Sequence, residues 1–235
     1  MSVNCVIGLQ WGDEGKGRIV DYLAQKADMV IRFQGGDNAG HTVVNEKGKF
    51  GLHILPSGIF NDNTMNIVGA GTVVNFDRMH SELEDIEKVT GEKIESVFID
   101  ERAHVIMPYH MALDGAEEGK RSESEKIGTT KRGIGPCYQD KAARCGIRAA
   151  DILDEETLKK KLSALLGKKN RELEYYGLPT YTLEELLSKA KAWREEFGDH
   201  IIDTNPAVRE AVEEGRNILL EGQLGIMRDN DWGIY

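Results

Sequence analysis

The chain has 235 residues, of which 40% are apolar and 30% are charged, and its formal net charge is −10. This composition predicts one large folded domain or two small ones, and it excludes intrinsic disorder and a general nucleic-acid-binding surface. The start carries no signal-peptide pattern, no apolar run is long enough for a membrane span, and three scattered cysteines give no disulfide or zinc spacing. We therefore expect a protein of the reducing cytoplasm that does not bind membranes.

The first elements indicate an open parallel α/β fold. The stretch "VNCVIGL" is short, apolar and β-branched, and it predicts a buried strand. Apolar residues then recur at helical spacing from Lys16, and "MVIRF" predicts a second strand before the Gly-rich turn of residues 34–42. A strand, a Gly-rich turn, a helix and another strand predict a P-loop-like, mostly parallel sheet flanked by helices.

Later segments add strands and a helical insertion. "MNIVGAG", "SVFID" and "NILLEG" predict strands, and "FDRMHSELEDIEKVTG" predicts a helix that ends at Gly91. Residues 128–146 predict a long loop, and two amphipathic helices follow it, the second with a capping box of Thr182 and Glu185. The predicted domains are a nucleotide-binding α/β core (1–150), a helical subdomain (151–215) and a return to the core (216–235).

The stretch "QWGDEGKG", residues 10–17, has the form of a phosphate-binding loop before a helix. Backbone N–H groups of such a loop bind phosphates, and Lys16 adds a positive charge. A tight turn without a ligand is the alternative, but three glycines and a lysine within residues 12–17 favour the phosphate site. Asp13 is unusual here, because an acid beside polyphosphate is repelled unless it binds Mg²⁺ or takes a proton from a substrate.

His41 lies in a second Gly-rich turn, "QGGDNAGHT", which follows a predicted strand. Ligands bind at the carboxyl ends of strands in such sheets, so we expect His41 to donate a hydrogen bond or a proton to a phosphate oxygen. A structural role is the usual alternative for a single histidine. The other histidines lie in ordinary strand or helix contexts and are expected to be structural or at the surface: His53, His80, His104, His110 and His200.

The segment "GTTKRGIGPCYQDKAARCG", residues 128–146, combines hydroxyls with cationic side chains. Such a mixture suits the binding of a phosphomonoester, but it suits a solvated basic surface equally well. The residue types leave both interpretations open. Its hydroxyls and cations are Thr129, Thr130, Lys131, Arg132, Lys141 and Arg144.

Four motifs, "QWGDEGKG", "GGDNAGHT", "LHILPSGI" and "IGTTKRGIGP", resemble those of the adenylosuccinate synthetase family, in that family's order. The resemblance extends from Val6 to Tyr235 and is weakest over residues 155–215. It implies a GTP-dependent ligase that joins IMP and L-aspartate during AMP synthesis. In the implied reaction, the γ-phosphoryl group of GTP moves to O6 of IMP, and the aspartate amine then displaces phosphate at C6.

The resemblance also implies residue roles. Asp13 would remove the proton from the purine ring and bind Mg²⁺ together with the Gly40 carbonyl, while His41 would be the acid at the transferring phosphoryl group and Lys16 would neutralise phosphate charge. Arg144 would reach the IMP site of a partner subunit in a homodimer. The implied GTP contacts are Gly12, Asp13, Glu14, Gly15, Lys16, Gly17, Arg18, Gly40, His41 and Thr42. The implied IMP contacts are Asp13, Glu14, Gly15, Lys16, Asn38, Ala39, Gly40, His41, Thr130 (at the phosphate), Arg144 and Leu224.

The sequence departs from the family pattern in two ways. The family's "GAQGTLLD" reads "GQLGIMRD" at residues 222–229, so Leu224 stands at the position of an IMP-binding glutamine and Gln223 lies one place earlier. Family members are also much longer. The chain therefore resembles an N-terminal portion without the guanine-recognition and aspartate-binding residues, and we expect weak or no ligase activity from it alone.

Three other interpretations stay open at this point. A relative of the same fold could act on a 2-amino purine nucleotide, although Asp13 argues against this. A GTP-binding module without ligase chemistry is a second alternative, although a pure binder needs neither Asp13 nor His41. The third is a truncated, inactive relative that still dimerises.

Overall fold

The computed structural model describes residues 2–120, 122 and 128–234, which fold as two units, Met1–Ala103 with Ile202–Tyr235 and His104–Ile201. The strands are β1 (Ser2–Gly8), β2 (Met29–Arg32), β3 (His41–Asn45), β4 (Gly48–Leu52), β5 (Met65–Val68), β6 (Val73–Val74), β7 (Val97–Asp100), β8 (His104–Val105), β9 (Ile201–Ile202) and β10 (Asn217–Gly225). The helices are α1 (Lys16–Ala24), α2 (Phe76–Thr90), α3 (Pro108–Lys120), α4 (Ile134–Ala142), α5 (Ala149–Leu153), α6 (Glu155–Tyr175), α7 (Leu183–Phe197) and α8 (Asn205–Glu213).

The first unit is built on one sheet with the strand order β1-β10-β2-β5-β7-β9, in which the pairs from β1 to β7 are parallel. Successive residues of a strand face opposite sides, and each side of this sheet is covered by a helix. Val20 of α1 packs on Val30 and Leu219, while Ala211 of α8 packs near Ile31 on the other side. The prediction of a mostly parallel sheet flanked by helices is confirmed.

The strand β1 differs from its prediction, because it is largely exposed rather than buried. Val3 and Ile7 each retain 51% of their accessible surface. The reason is its place in the sheet, since β1 pairs with β10 along one edge and, within the described residues, with no strand along the other. An apolar, β-branched sequence predicts a strand but not its position in the strand order.

The prediction of a long loop over residues 128–146 is wrong, because helix α4 occupies the middle of this segment. The helix begins after Gly133, whose φ of +79° a residue with a side chain rarely adopts. A Cβ at Gly133 would lie 2.8 Å from the Met111 nitrogen, so the backbone passes too close to α3 for any other residue. The high content of glycine and cations hides the three residues that α4 buries, Pro136, Cys137 and Asp140.

Most other predicted elements are present. Gly91 ends α2 with a φ of +71°, and the capping box at α7 has both of its hydrogen bonds, Glu185 N to Thr182 Oγ1 and Thr182 N to Glu185 Oε2. The hairpin of β3 and β4 was not predicted, and His41 is its first residue. The boundaries of the two units differ from those of the predicted domains. The assignment of functions to those domains stays a prediction. No helix of the described residues is long and apolar enough to cross a membrane.

The second unit, His104–Ile201, contains a buried cluster of charged side chains that joins three of its helices. His110 Nε2 of α3 donates to Asp140 Oδ2 of α4 over 2.8 Å, and Lys169 Nζ of α6 lies 2.8 Å from Asp140 Oδ1. These three side chains are at most 4% exposed. Burial by itself would raise the pKa of Asp140, but the hydrogen bonds from His110 and Lys169 hold it below its ordinary value of 3.8.

Lys169→Met is expected to destabilise the protein by about 3 kcal/mol, because it leaves the buried Asp140 charge without its cation. The adjacent Lys168 side chain is 57% exposed, so Lys168→Met should change the free energy of unfolding by less than about 0.5 kcal/mol. Since folding lowers the pKa of Asp140, this stabilisation is present above pH 3.8 and fades as the pH falls further. Urea unfolding of both variants measures the difference, and equal effects at neutral pH would contradict the account.

Candidate active site

The loop between β1 and α1 is wound tightly by backbone conformations with positive φ. Gly12, Asp13 and Gly15 have φ values of 101°, 60° and 83°, and α1 begins directly afterwards at Lys16. Glycine adopts this region freely and aspartate tolerates it better than most residues. The winding turns backbone N–H groups inward, as the predicted phosphate-binding loop requires.

The carboxylate of Glu14 occupies the donors of this loop. It accepts hydrogen bonds from the backbone N–H groups of Gln10 (3.1 Å) and Gly12 (3.2 Å) and from Lys16 Nζ (2.6 Å). The hydrogen bond from Lys16 is the main cause that lowers the pKa of Glu14 to about 2. The loop therefore binds the anionic carboxylate of Glu14, and a phosphate that uses Lys16 would have to share it with Glu14 or displace that carboxylate.

His41 packs directly against the start of α1. A Cβ placed on Gly17 would lie only 2.5 Å from His41 Cβ, so the absence of a side chain at Gly17 is what lets the two segments touch. His41 is 6% exposed and opens the hairpin of β3 and β4. The loop of residues 10–17 and the turn of residues 34–42 therefore meet where Gly17 contacts His41.

The ring of His41 is held from its other side by Glu221 of β10. His41 Nδ1 donates to Glu221 Oε1 over 2.6 Å. The same carboxylate accepts from Ser57 Oγ (2.8 Å) and from the Ser57 backbone nitrogen (2.9 Å), and neither Ser57 nor Glu221 is exposed. The arrangement presents an oriented histidine beside a loop that binds a carboxylate, and a histidine so placed can donate a proton to a bound group.

Comparison with known proteins identifies this architecture. The model of the adenylosuccinate synthetase family matches residues 5–235. The chain belongs to this family. The matched range contains the loop of residues 10–17 and the turn of residues 34–42.

Relatives of known sequence and structure agree with this assignment. The chain is 45% identical to adenylosuccinate synthetase 1 of Methanosarcina acetivorans and 44% identical to the synthetase of Listeria welshimeri. It spans 55% and 54% of their lengths, so it corresponds to about half of these relatives.

Two solved structures resemble the chain in fold. A fully ligated adenylosuccinate synthetase from Plasmodium falciparum is 35% identical with a TM-score of 0.87, over 99% of this chain and 54% of that one. Cyanophage S-2L succinoaminodeoxyadenylate synthetase, bound to dGMP and dATP, is 20% identical with a TM-score of 0.63, over 100% of this chain and 54% of that one. The second likeness is one of fold alone.

The predicted site residues of the adenylosuccinate synthetase family fall into both units. The first unit holds the loop of residues 10–17, the turn of residues 34–42 and Leu224, and in it Ala39 is buried while Arg18, Gly40 and Thr42 are exposed. Thr130 and Arg144 belong to the second unit, where both are exposed and Arg144 has a φ of +60°. Of the quoted motif "IGTTKRGIGP", Ile127 lies outside the described residues. The substrate contacts of all these residues stay predictions.

The departure at Gln223 and Leu224 has a structural counterpart. Gln223 is 7% exposed, and its amide oxygen is buried without a hydrogen-bond partner among the described residues. A Cβ on Gly35 would lie 2.0 Å from this oxygen, so Gln223 points at the turn of residues 34–42. Leu224 offers no polar side-chain atom, whereas Gln223 brings an amide oxygen, which has no hydrogen-bond partner in the described part of the chain, to the carboxyl end of β10.

The donor chemistry at the predicted Mg²⁺ site fits that ion in part. Asp13 is exposed and offers a carboxylate, and the space around Gly40 is open, with no atom within 4 Å of where a Cβ would stand. No group of three or more His, Cys, Asp or Glu side chains that could hold a metal occurs in the described part of the chain. Mg²⁺ commonly takes only one or two protein ligands and completes its shell with substrate oxygens and water, so this sparse set is compatible with it.

Sequence reasoning missed Glu221 and Ser57. The signal for Glu221 was available, because "NILLEG" predicts a buried strand and a carboxylate in such a strand needs partners for its charge. Ser57 lies within the motif "LHILPSGI", but nothing in the pattern of that motif indicates a hydrogen bond to a residue 164 positions away.

Gly17→Ala is expected to push His41 away from α1 and to lower nucleotide affinity in the full-length protein at least about tenfold, since the new methyl group has no room. Gly167→Ala is the matched control. Gly167 lies within α6, and the nearest atom to a Cβ there is the end of the Arg171 side chain at 3.9 Å, so alanine should be neutral or stabilising by up to about 1 kcal/mol. Titration with a GTP analogue and thermal unfolding of both variants check this, and unaltered affinity in Gly17→Ala would contradict the close contact.

Proposed function

We propose that this chain provides the phosphoryl-transfer site of a GTP-dependent ligase that joins IMP and L-aspartate to adenylosuccinate, releasing GDP and phosphate in AMP synthesis. The observation that carries the proposal is the contact of Gly17 with His41, which joins an anion-binding loop to an oriented histidine. The membership of the adenylosuccinate synthetase family gives the substrates. The cytoplasm is the compartment in which we expect it to work.

Charge neutralisation is the main task of such a site, because phosphoryl transfer needs little covalent help from the protein. Lys16 and the loop N–H groups bind phosphate oxygens in place of, or together with, the Glu14 carboxylate. Arg18, Gly40 and Thr42 flank the loop and the histidine on the GTP side. Asp13 and the Gly40 carbonyl oxygen would hold Mg²⁺, which when bound neutralises charge on the phosphate oxygens.

Two side chains handle protons in the proposed reaction. The carboxylate of Asp13 takes the proton from the purine ring of IMP, which makes O6 a better acceptor for the γ-phosphoryl group. His41 donates from Nε2 to an oxygen of that group, because Nδ1 is engaged by Glu221. The phosphate at C6 is then a good leaving group for the aspartate amine.

The remaining IMP contacts are proposed for both units. Asn38 and Ala39 of the first unit face the nucleotide, and we expect the amide of Gln223 to make the polar contact that Leu224 cannot make. Thr130 of the second unit binds the IMP phosphate, and Arg144 reaches the IMP of a second subunit in a homodimer. The chain spans about half of its relatives, so the guanine and aspartate contacts are expected outside it.

The alternatives of the sequence analysis are less well supported. A relative that acts on a 2-amino purine nucleotide rests on a likeness of fold at 20% identity, whereas the identity to named adenylosuccinate synthetases is 44–45%. A GTP-binding module that catalyses no reaction would need neither the oriented His41 nor the exposed carboxylate of Asp13.

Substitution of the two proton-handling residues tests the proposal. In the full-length protein, Asp13→Asn and His41→Asn are each expected to lower the rate of adenylosuccinate formation from GTP, IMP and aspartate by about 100-fold or more. His80→Asn is the control, because His80 lies on α2 with 47% of its side chain exposed and should leave the rate unchanged. Product is measured by chromatography, and a His41→Asn enzyme with the normal rate would overturn the proposed function.

A further inference from the structure

Glu221 is a fully buried carboxylate in the mostly apolar strand β10. Burying an ionised carboxylate is unfavourable by several kcal/mol unless hydrogen bonds and opposite charge compensate for it. Burial would raise its pKa, but the hydrogen bond with His41, the charge of Arg32 and the N–H of Ser57 together lower it, so the group is ionised. An ionised carboxylate buried in this way indicates that its negative charge is needed at this position.

The sheet order puts this carboxylate at the centre of the site. Strand β10 lies between β1 and β2, whose carboxyl ends lead into the two Gly-rich segments. In register, Glu221 stands beside Val6 of β1 and Arg32 of β2. The buried Arg32 in turn donates to the carbonyl oxygens of Gly36 (3.1 Å) and His53 (2.7 Å).

The contact with Gly17 leaves the His41 ring free to rotate, and the hydrogen bond to Glu221 removes this freedom. Gly17 packs on the α and β carbons of His41 and fixes where the side chain starts. Rotation of the ring would still exchange the two nitrogen atoms. The hydrogen bond from Nδ1 to Glu221 Oε1 selects one orientation and requires a proton on Nδ1.

We propose that Glu221 is a positioning residue for His41, which fixes the orientation of the ring with a proton on Nδ1 and so directs Nε2 to the transferring phosphoryl group. This inference rests on the proposed function of His41. When His41 gives up its proton, the proton leaves Nε2 for a phosphate oxygen and the ring remains protonated at Nδ1. Glu221 does not contact the substrate in this role.

The donors around Glu221 predict what an amide would do in its place. The backbone N–H of Ser57 faces Oε2 and cannot become an acceptor, whereas the hydroxyl of Ser57 at Oε1 can rotate. In Glu221→Gln the amide oxygen should therefore take the Oε2 position, and the NH₂ group should face His41 Nδ1. Nδ1 must then accept, so the neutral ring should switch to the tautomer with its proton on Nε2.

The test is nuclear magnetic resonance of the full-length protein labelled with ¹⁵N in its histidine rings, with the His41 signals assigned by their loss in His41→Asn. With its ring in the neutral form, His41 of the unaltered protein is expected to carry its proton on Nδ1, and His41 of Glu221→Gln on Nε2, with kcat at least about tenfold lower and KM for GTP nearly unchanged. Glu82→Gln is the control, since Glu82 is also buried but receives its hydrogen bonds from residues 53–55 and Arg78. It should leave the His41 signals unchanged.

Two results would overturn the inference. One is a neutral His41 protonated at Nε2 in the unaltered protein, which needs no variant to fold. The other is a normal kcat in Glu221→Gln after its tautomer has switched. A normal rate in His41→Asn would instead overturn the proposed function. That result does not depend on which ring nitrogen carries the proton, so the two failures can be told apart.

Discussion

The hydrogen bond between His41 and the buried Glu221 is the interaction on which the rest of the site depends. A carboxylate with no exposed surface has to be surrounded by donors, and those donors, His41 and Ser57, come from two separate segments of the chain. The strand that carries Glu221 lies in the middle of the site because the last strand of this sequence inserts between β1 and β2. Electrostatics and strand order together therefore decide where the histidine stands.

The phosphate-binding loop contributes a second constraint, which is charge. Its N–H groups and Lys16 are arranged for an anion, which is the Glu14 carboxylate. This pairing keeps Lys16, which is 6% exposed, from being a buried charge without a partner. In the proposed function, a loop that is already held in shape lowers the cost of ordering it when a phosphate binds.

The sequence was sufficient for features that depend on local physics. The spacing of apolar residues and Gly91 predicted α2, the pair Thr182 and Glu185 predicted the start of α7, and the glycines of residues 12–17 predicted the tight turn before α1. These are interactions between residues a few positions apart, so a linear pattern contains them.

Features that depend on distant parts of the chain could not be predicted in this way. The exposure of β1 follows from its place in the strand order, and α4 follows from a glycine that passes close to α3. The partnership of His41 with Glu221 joins residues 180 positions apart. A carboxylate in a mostly apolar strand was a signal that a partner exists, which the sequence analysis did not use, and only the folded sheet identifies which residue it is.

The central claim is that the loop and His41 form one site, which transfers a phosphoryl group to O6 of IMP. The most direct measurement supplies the full-length protein with GTP, aspartate and IMP labelled with ¹⁸O at C6, and then analyses the released phosphate by mass spectrometry. The account predicts that the label appears in phosphate, because the bond between C6 and its oxygen breaks after that oxygen has received the phosphoryl group. Formation of adenylosuccinate with unlabelled phosphate would contradict it.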